Sequence, residues 1–366
     1  MSSATTTTPL QDLRAWLGRY NLDAVYVTKP VSIAYLTGFH AEPFERLMAL
    51  AVRPDGATLI VPAIEQENAA RHADHLELVA WRDGEDAYAL VRAALDGCVE
   101  VGVEKEHLSL HAAEMLIART AAREMVDASP EIRRLRRIKN HAEVEKLARA
   151  ASITDAVTEV VLDRLHAGQT ELEVAMLIGA AIGEQGGTPA FESLVQSGPN
   201  SALPHMHPTS RKLAEGDFVL LDFGAAFDGY RADTTRMAVV GEPTPRHKEI
   251  HSLVLAAHDA AIAAVRAGTT TGAVDSAARQ VIEAGGMGDR FFHRVGHGLG
   301  LEAHEDPSLD PGSAMVLEAG MVFTIEPGVY IPGWGGVRIE DDVVVERSGC
   351  RVLTRADRAL RVISAR

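Results

Sequence analysis

The amino-acid sequence predicts two domains, a smaller α/β domain followed by a larger α+β domain. Three observations lead to this fold class. The chain has 366 residues, more than a single hydrophobic core usually serves. In its first part, short apolar runs alternate with helix-forming segments. Its second part repeats one helix–turn–helix pattern and follows each copy with strand-like runs that carry acids or histidines.

The smaller domain is expected to span residues 1–131. Residues 1–9 are rich in serine and threonine and are interpreted as a tail. A helix near residues 10–17 and a strand at residues 24–27 come next, and two further strands flank the hairpin signal Pro54-Asp55-Gly56. Helices are then predicted at residues 64–73, 85–95 and 108–120, and strands at residues 76–81, 99–103 and 124–126. This order of elements is typical of an α/β domain.

A basic run, Arg133-Arg134-Leu135-Arg136-Arg137-Ile138-Lys139, marks the start of the larger domain, which is expected to span residues 132–366. Such a run can indicate nucleic-acid binding. The net charge of −15 argues against that partner, because phosphate binding requires a basic face. We therefore interpret the run as a solvated or interdomain face that leads into a long helix from about Ala142.

Cysteine content and hydropathy indicate a reducing compartment and no membrane partner. The two cysteines, Cys98 and Cys350, cannot form a disulfide framework, which favours the cytoplasm. No apolar run approaches the roughly 18 residues that a spanning helix needs.

The repeat in the second domain consists of Ala167-Gly168-Gln169-Thr170 and Ala267-Gly268-Thr269-Thr270. Each stretch is expected to join two helices, with threonine capping the second one. Each second helix then reaches a glycine pair, Gly186-Gly187 or Gly285-Gly286, that can end it. Convergence of common helix-turn-helix chemistry is the alternative explanation.

The stretch from Asp217 to Arg236 carries the first chemical signal. Asp222 follows the apolar run Phe-Val-Leu-Leu, and Asp233 lies beyond an Asp228-Gly229 turn. A hairpin here brings Asp222 and Asp233 side by side. Because an unpaired buried charge is costly, two such acids together require cations.

Three further candidates occur in the second half of the domain. His297 lies in Val-Gly-His-Gly-Leu-Gly, Glu326 in Phe-Thr-Ile-Glu-Pro-Gly, and Glu340 in Gly-Gly-Val-Arg-Ile-Glu-Asp-Asp. Taken singly, such residues are usually turns, caps or loops. Together with the aspartates they give four carboxylates and one imidazole, which suits two divalent ions. Oxygen ligands with one nitrogen favour manganese, with cobalt or zinc as alternatives.

These five residues in this order resemble the metal-ligand pattern of the metallopeptidases with the pita-bread fold. The sequence is most similar to the proline-specific branch, the Xaa-Pro dipeptidases (prolidases) and Xaa-Pro aminopeptidases. The resemblance covers the whole chain and is strongest over residues 191–342. It implies an α+β pita-bread catalytic domain with pseudo-twofold symmetry, a creatinase-like amino-terminal α/β domain without metal ligands, and a homodimer.

The resemblance also implies a role for each site residue. The implied metal ligands are Asp222, Asp233, His297, Glu326 and Glu340, and Glu326 is also the general base. His205 is implied to contact the substrate or the transition state, His304 to stabilise the transition state, and His293 to contact the substrate. Arg338, two residues before Glu340, is expected to hold a nearby carboxylate or to contact the substrate.

The implied function is two-metal hydrolysis of the Xaa-Pro imide bond, with a preference for dipeptides. A Xaa-Pro aminopeptidase that acts on longer peptides is the alternative. Methionine aminopeptidases resemble only the second domain, and creatinases work without metal. A non-catalytic binding protein on the same fold would have lost ligands, and none is lost here.

Arg46 is the predicted carboxylate-binding residue of a dipeptidase. In the resembled dipeptidases, an arginine between the second active-site histidine and Glu-Pro-Gly often binds this group, but residues 305–337 contain no lysine or arginine. The resembled amino-terminal domain projects a loop after Tyr-Leu-Thr-Gly-Phe, and Arg46 is the first cation after that motif here. Pairing of Arg46 with Glu42 or Glu45 at the surface is the alternative.

Overall fold

A computed structural model describes residues 8–365, and the chain divides into two units, Met1–Arg136 and Arg137–Arg366. The expected boundary at residue 131 falls in the same helix, Ser129–Arg137, as this division. The predicted tail at residues 1–7 lies outside the described residues. At Thr8 and Pro9 that prediction is wrong, because Thr8 caps the first helix: its hydroxyl accepts from the amide of Gln11 at 3.3 Å.

The amino-terminal unit is an α/β sandwich around one six-stranded sheet. Its strands are β1 Ala24–Val27, β2 Ala49–Val52, β3 Ala57–Pro62, β4 Glu77–Trp81, β5 Glu100–Val103 and β6 Glu124–Asp127. Its helices are α1 Pro9–Arg19, α2 Pro30–Thr37, α3 Gln66–His72, α4 Ala87–Ala94, α5 Leu110–Arg119 and α6 Ser129–Arg137. The strand order is β4-β3-β2-β1-β5-β6. Alternate residues of β1 enter two separate apolar clusters, so both faces of the sheet are covered.

The sequence predicts this unit well except for one helix. The Pro54-Asp55-Gly56 hairpin is confirmed: β2 and β3 pair antiparallel, and the amide of Arg53 donates to Gly56 O at 2.8 Å. Helix α2 was not expected. It is short and largely buried, so it shows no amphipathic period. Its signals are Pro30 at the first position and Gly38 in the left-handed conformation after it.

The carboxyl-terminal unit mixes helices and strands, as the α+β prediction requires. Its helices are α7 His141–Arg164, α8 Glu171–Glu184, α9 Pro245–Ala264 and α10 Thr271–Ala284. Its strands are β7 Thr188–Pro189, β8 Leu194–Ser197, β9 Phe218–Phe223, β10 Ala225–Phe227, β11 Tyr230–Arg231, β12 Thr234–Val240, β13 His297–Gly298, β14 Glu305–Ser308, β15 Val322–Ile325, β16 Gly328–Ile331, β17 Gly335–Arg338, β18 Asp341–Glu346, β19 Gly349–Val352 and β20 Arg361–Ile363. Among residues 8–365, no helix combines the length and apolar character that a bilayer span requires.

Two principal sheets organise this unit, one for each helix pair. The first has the order β20-β12-β9-β8 and packs with α7 and α8 around one apolar cluster. The second has the order β14-β13-β15-β18-β19 and packs with α9 and α10 around another. The helices thus cover the sheets, and alternate residues of β9 and β12 enter both apolar clusters.

The predicted helix–turn–helix repeat is present in both halves of this unit. Gly168 and Gly268 adopt left-handed backbone, with φ of 86° and 89°. Their amides donate to Leu213 O and Leu317 O, each at 2.9 Å. The following threonine caps α8 in the first half and α10 in the second. The two connections therefore share backbone geometry as well as sequence.

The basic run is not uniformly solvated: that part of the expectation is wrong at two residues, and the interdomain alternative stays a prediction. Arg136 and Lys139 are only 5% and 4% exposed. Lys139 is buried because it has a partner within the second unit, Glu305, with Nζ and Oε1 2.7 Å apart. Upstream, Arg134 pairs with Glu131 in α6.

Candidate metal centre and active site

The two aspartates lie on the long hairpin that the sequence predicts. Asp222 is inside β9, and Asp233 occupies the bend just before β12. β9 and β12 pair antiparallel, with Asp222 opposite Thr235. The Asp228-Gly229 turn closes the hairpin tip with φ of 49° and 81°. At Gly224 any side chain would collide with Ala232, since a Cβ would lie 1.7 Å from its carbonyl oxygen.

The second sheet supplies the two glutamates and the histidine. Glu326 follows β15 directly, and Glu340 lies between β17 and β18. His297 is in β13, with Nε2 at 3.2 Å from Glu326 Oε1. Thr324 orients both residues: its hydroxyl accepts from the amide of His297 and donates to Glu326 Oε1, each at 3.0 Å.

These donors fit divalent cations. Asp233, His297 and Glu340 each offer one ligand atom, and the three atoms lie within 4.8 Å of one another. Asp233 Oδ1 is buried and has no hydrogen-bond partner among the described residues. An orphaned carboxylate oxygen in such surroundings is costly unless a cation satisfies it. Carboxylate oxygens with one imidazole are suitable ligands for divalent metals.

Burial and mutual repulsion shift the protonation of the cluster. Burial, followed by repulsion from neighbouring acids, raises the pKa of Asp233 and of Glu340 well above the usual range. Burial also raises the pKa of Glu326 to about 7. Burial lowers the pKa of His297 to about 3, so its ring is neutral. Without cations the acids hold protons, and with cations they can release them.

A cavity of about 790 Å³ opens over these residues. It brings together the predicted site residues of the carboxyl-terminal unit, namely His205, Asp222, Asp233, His293, His297, His304, Glu326, Arg338 and Glu340. Its apolar walls include Phe191, Leu203 and Phe292. A buried acidic floor under apolar walls is the arrangement expected of a hydrolytic site for a partly apolar substrate.

Three other histidines lie beside the acids and differ in how deeply they are buried. The ring of His304 lies 3.8 Å from that of His297, centroid to centroid. Burial, and then the charge of Arg294, lowers the pKa of His304. His293 donates from Nδ1 to Arg294 O at 2.7 Å, so its Nε2 accepts from the Tyr330 hydroxyl at 3.0 Å. His205 is exposed on the cavity wall.

Arg338 is buried, and its side chain binds the acids of the site instead of standing free in the cavity. Its Nη2 contacts Asp222 Oδ2, and its Nε donates to the Thr235 hydroxyl at 3.0 Å. Thr235 in turn donates to Glu340 Oε2 at 2.6 Å. Nη1 of Arg338 donates to the Tyr330 hydroxyl at 2.9 Å. One arginine thus links acids from both sheets.

Sequence reasoning missed several residues that support the site. Tyr330 bridges Arg338 and His293, and its only signal is its place four residues after Glu326. Asp342 Oδ2 accepts from the amide of Asp233 at 2.9 Å. Tyr330 lies 37 positions from His293, and Asp342 lies 109 positions from Asp233, so no local pattern predicts these two contacts.

Arg46 belongs to the amino-terminal unit and is bound there by two acids. Its Nε and Nη2 donate to the two carboxylate oxygens of Asp83 at 3.0 and 2.9 Å. Its Nη1 also donates to Glu45 Oε1 at 3.0 Å, which is one of the surface pairings considered from the sequence.

Comparison with known proteins identifies the family. Residues 145–347 match the model of metallopeptidase family M24, and residues 9–138 match the creatinase/prolidase N-terminal domain. The chain belongs to metallopeptidase family M24. The M24 match contains all five acidic and histidine residues of the cluster, and family membership implies divalent metal ions. The resemblance to the pita-bread metallopeptidases and their creatinase-like domain is confirmed.

Individual M24 relatives match over nearly the full length. A Xaa-Pro dipeptidase from Lactobacillus helveticus is 36% identical over 365 residues, covering 98% of this chain and 99% of the relative. The structure of a Xaa-Pro dipeptidase from Bacillus anthracis aligns with a TM-score of 0.91 and 34% identity, covering 97% and 99% of the two chains. That of an X-Pro aminopeptidase from Thermotoga maritima aligns with a TM-score of 0.87 and 31% identity, covering 94% and 99%.

Proposed function

We propose that the protein is a two-metal Xaa-Pro dipeptidase, which hydrolyses the imide bond before a carboxyl-terminal proline. The observation that carries this proposal is the approach of Asp233, His297 and Glu340 within 4.8 Å under an apolar-walled cavity. The full-length similarity to Xaa-Pro dipeptidases supports the substrate class.

The residues that would hold the two ions are Asp222, Asp233, His297, Glu326 and Glu340. Bound divalent ions supply Lewis-acid polarisation of a carbonyl and lower the pKa of water from about 16 to about 7. The oxygen-rich donor set favours manganese, with cobalt or zinc as alternatives. Hydrogen bonds hold three of these carboxylates in place and support this assignment: Arg338 binds Asp222, Thr235 binds Glu340, and Thr324 binds Glu326.

Glu326 is the residue that moves the proton. Its carboxylate lies on the cavity lining, where an oxygen would accept a proton from water and return it to the leaving proline nitrogen. That nitrogen belongs to a tertiary amide without an N–H, so it must be protonated to leave. Thr324 donates to Oε1 and keeps the carboxylate oriented during both transfers.

The cavity histidines act on the scissile carbonyl. His304 has a lowered pKa, so its neutral ring can donate one N–H to the developing oxyanion. His205, on the cavity wall, is the second donor. His293 is held by Arg294 O and the Tyr330 hydroxyl and contacts the substrate. The apolar walls exclude water and accept the proline ring.

Metal analysis and a hydrolysis assay test this function. The purified protein is expected to contain two divalent ions per chain by elemental analysis and to release proline from a Xaa-Pro dipeptide. A chelated sample should be inactive and should recover on addition of Mn²⁺. Active protein without metal would refute the two-metal proposal, and metal-loaded protein without activity would favour a non-catalytic binding protein.

His304→Ala separates catalysis from metal binding. Removing an oxyanion donor typically lowers kcat by about 100- to 1000-fold. We expect such a loss, with metal content equal to that of the wild type, because His304 is assigned as a donor and not as a ligand. A loss of metal from the variant would contradict that role.

The aminopeptidase alternative is tested with a longer substrate. Comparable kcat/KM values on a Xaa-Pro dipeptide and on a Xaa-Pro tripeptide would favour an aminopeptidase, the activity named for the Thermotoga maritima neighbour. Arg46 stays a predicted carboxylate ligand. The same two substrates test it in Arg46→Ala: selective loss on the dipeptide would support this sequence-based prediction, and an unchanged ratio would refute it.

Two finer properties complete the proposal. The homodimer follows from the resemblance alone and is tested by sedimentation. A cytoplasmic location is supported by Cys98 and Cys350, which are both free thiols.

A further inference from the structure

Arg294 is an uncommitted cation at the cavity wall. Within the described part of the chain, Arg294 and Arg338 are the two arginines that line the cavity, and no lysine lines it. Arg338 is buried and ion-paired with Asp222. Arg294 is half-buried and makes one hydrogen bond, from Nη1 to the neutral Ser308 hydroxyl at 2.8 Å. No carboxylate of the described residues is within ion-pair distance of Arg294, so its charge is available to a ligand.

A dipeptide substrate brings an anion to this cavity. The carboxylate of a Xaa-Pro dipeptide is carried by the proline itself, on the leaving side of the scissile bond. We propose that Arg294 binds this terminal carboxylate and gives the enzyme its preference for dipeptides. The proposal rests on the proposed function. The guanidinium fork matches a carboxylate in geometry, and such charge-assisted bonds are stronger than neutral ones.

The backbone around Arg294 is held from α10. Arg279 donates from Nη1 to Phe291 O at 2.8 Å and from Nη2 to His293 O at 2.9 Å. Asp275 binds the Arg279 side chain through both carboxylate oxygens. Asp275 also accepts from the amide of Val295 at 3.1 Å. Both neighbours of Arg294 are therefore fixed, and a fixed backbone reduces the conformational entropy that the arginine loses on binding.

Arg46 would reach the same role only at a cost. Its fork already binds both oxygens of Asp83, and Glu45 occupies a further N–H. A substrate carboxylate would have to displace or share these bonds. To bind the same carboxylate, Arg294 would give up only its hydrogen bond to the Ser308 hydroxyl or a bond to water.

The test compares a Xaa-Pro dipeptide with its carboxamide, which has the same size and no charge. Wild-type kcat/KM should favour the dipeptide by about 10- to 100-fold, the range expected for charge-assisted hydrogen bonds. Arg294→Met should lose this preference, with a higher KM for the dipeptide and a distinctly smaller change on the amide. Arg294→Lys should keep part of the preference, since it keeps the charge but not the fork.

Controls identify each alternative. Arg290→Met removes an exposed arginine four residues upstream and should behave as the wild type. Equal losses on dipeptide and amide in Arg294→Met would overturn the proposal, because they indicate a structural role. Selective loss of the dipeptide in Arg46→Met, with Arg294→Met unchanged, would also overturn it and assign the carboxylate to Arg46.

A binding measurement keeps the proposal testable without turnover. Calorimetry of metal-loaded protein should give tighter binding of proline than of prolinamide, and Arg294→Met should remove the difference. This outcome would support the role of Arg294 even if neither peptide were hydrolysed, in which case only the proposed function would fail. An undiminished difference in the variant would overturn the role.

Discussion

The two halves of the catalytic unit share a strand register but differ in the side chains they place on it. In the first half, the amide of Val240 donates to Asp217 O at 3.0 Å, and β12 pairs antiparallel with β9. In the second half, the amide of Val345 donates to Met321 O at 2.8 Å, and β18 pairs antiparallel with β15. The two hairpins therefore have equivalent strand registers.

This register equates residues of the site between the halves. The equivalent pairs are Asp222 with Glu326, Thr235 with Glu340, and Asp233 with Arg338. The first pair is acidic in both halves, whereas the other two have one acidic member each. Each non-acidic member binds an acid of the opposite half: Arg338 binds Asp222, and Thr235 binds Glu340. A repeated backbone thus carries ligands and their supports at equivalent places.

Substituting an equivalent pair should give the largest effect. Glu340→Gln removes a proposed ligand, and Thr235→Val removes the hydroxyl that binds it. Outer-shell partners are typically worth about 10- to 100-fold in activity or metal affinity, so Thr235→Val should fall in that range and Glu340→Gln should exceed it. Measurements of kcat/KM and bound metal check both.

The conservative variant Thr235→Ser is the control for this pair, because it keeps the hydroxyl and should stay near wild-type activity. Equal losses of kcat/KM and of bound metal in Glu340→Gln and Thr235→Val would contradict the assignment of Glu340 as a ligand and Thr235 as its support.

Removing the metals should show that acids of both halves hold protons. Folded pKa values are raised for Asp233 in the first half and for Glu326, to about 7, in the second. A group with a raised folded pKa stabilises the fold while protonated, and this contribution is lost as the pH rises through the folded value. His297, with its lowered pKa of about 3, acts in the opposite direction, but only below its unfolded value near 6.5.

The metal-free protein should therefore lose stability above about pH 6.5, where the opposing contribution of His297 has ended. The loss should be about 1.4 kcal/mol per pH unit for each acid that stays protonated in the folded chain and is ionised in the unfolded chain, and for Glu326 it should end near its folded pKa of about 7. Urea unfolding of chelated protein at several pH values measures the slope. Asp233→Asn removes one titrating acid and should make this slope shallower, whereas Glu326→Gln should do so only below about pH 7. A free energy of unfolding that rises with pH in the chelated wild type would contradict the assignment.

The smallest effect concerns the helix caps. Thr170 forms a full capping box, since Glu173 returns a carboxylate to its amide at 2.7 Å. The equivalent Thr270 caps α10 alone, because residue 273 is an exposed alanine. Ala273→Glu should complete the second box and stabilise the protein by about 0.5 kcal/mol with unchanged activity. Thermal unfolding checks this, with Ala273→Gln as an uncharged comparison, and a lower Tm for both variants would contradict it.

Local signals explain what the sequence could predict. The Asp228-Gly229 turn, the apolar run before Asp222 and the glycine–threonine connections each occupy a few consecutive residues, and they predicted the hairpin and both helix pairs. Helix α2 lacked a period because it is buried around most of its surface. The sequence predicted its neighbours because those elements are amphipathic or alternate with clear turns.

Long-range pairing explains what the sequence could not predict. Lys139 looked like part of a solvated basic run, yet Glu305 pairs with it from 166 positions away. Arg46 looked free for a substrate, yet Asp83 binds it. Whether a side chain's charge is paired depends on a partner elsewhere in the fold. Composition and residue spacing do not predict that partner.

Strand β20 has a consequence for the order in which the protein can fold during synthesis. Its residues, Arg361–Ile363, pair in parallel with β12, whose sheet belongs to the first half. The ribosome makes the whole second half between these two strands. Until residues 361–363 emerge, one edge of the first sheet stays unpaired and open to other chains. The nascent chain therefore completes its earlier half only after it has made its later one.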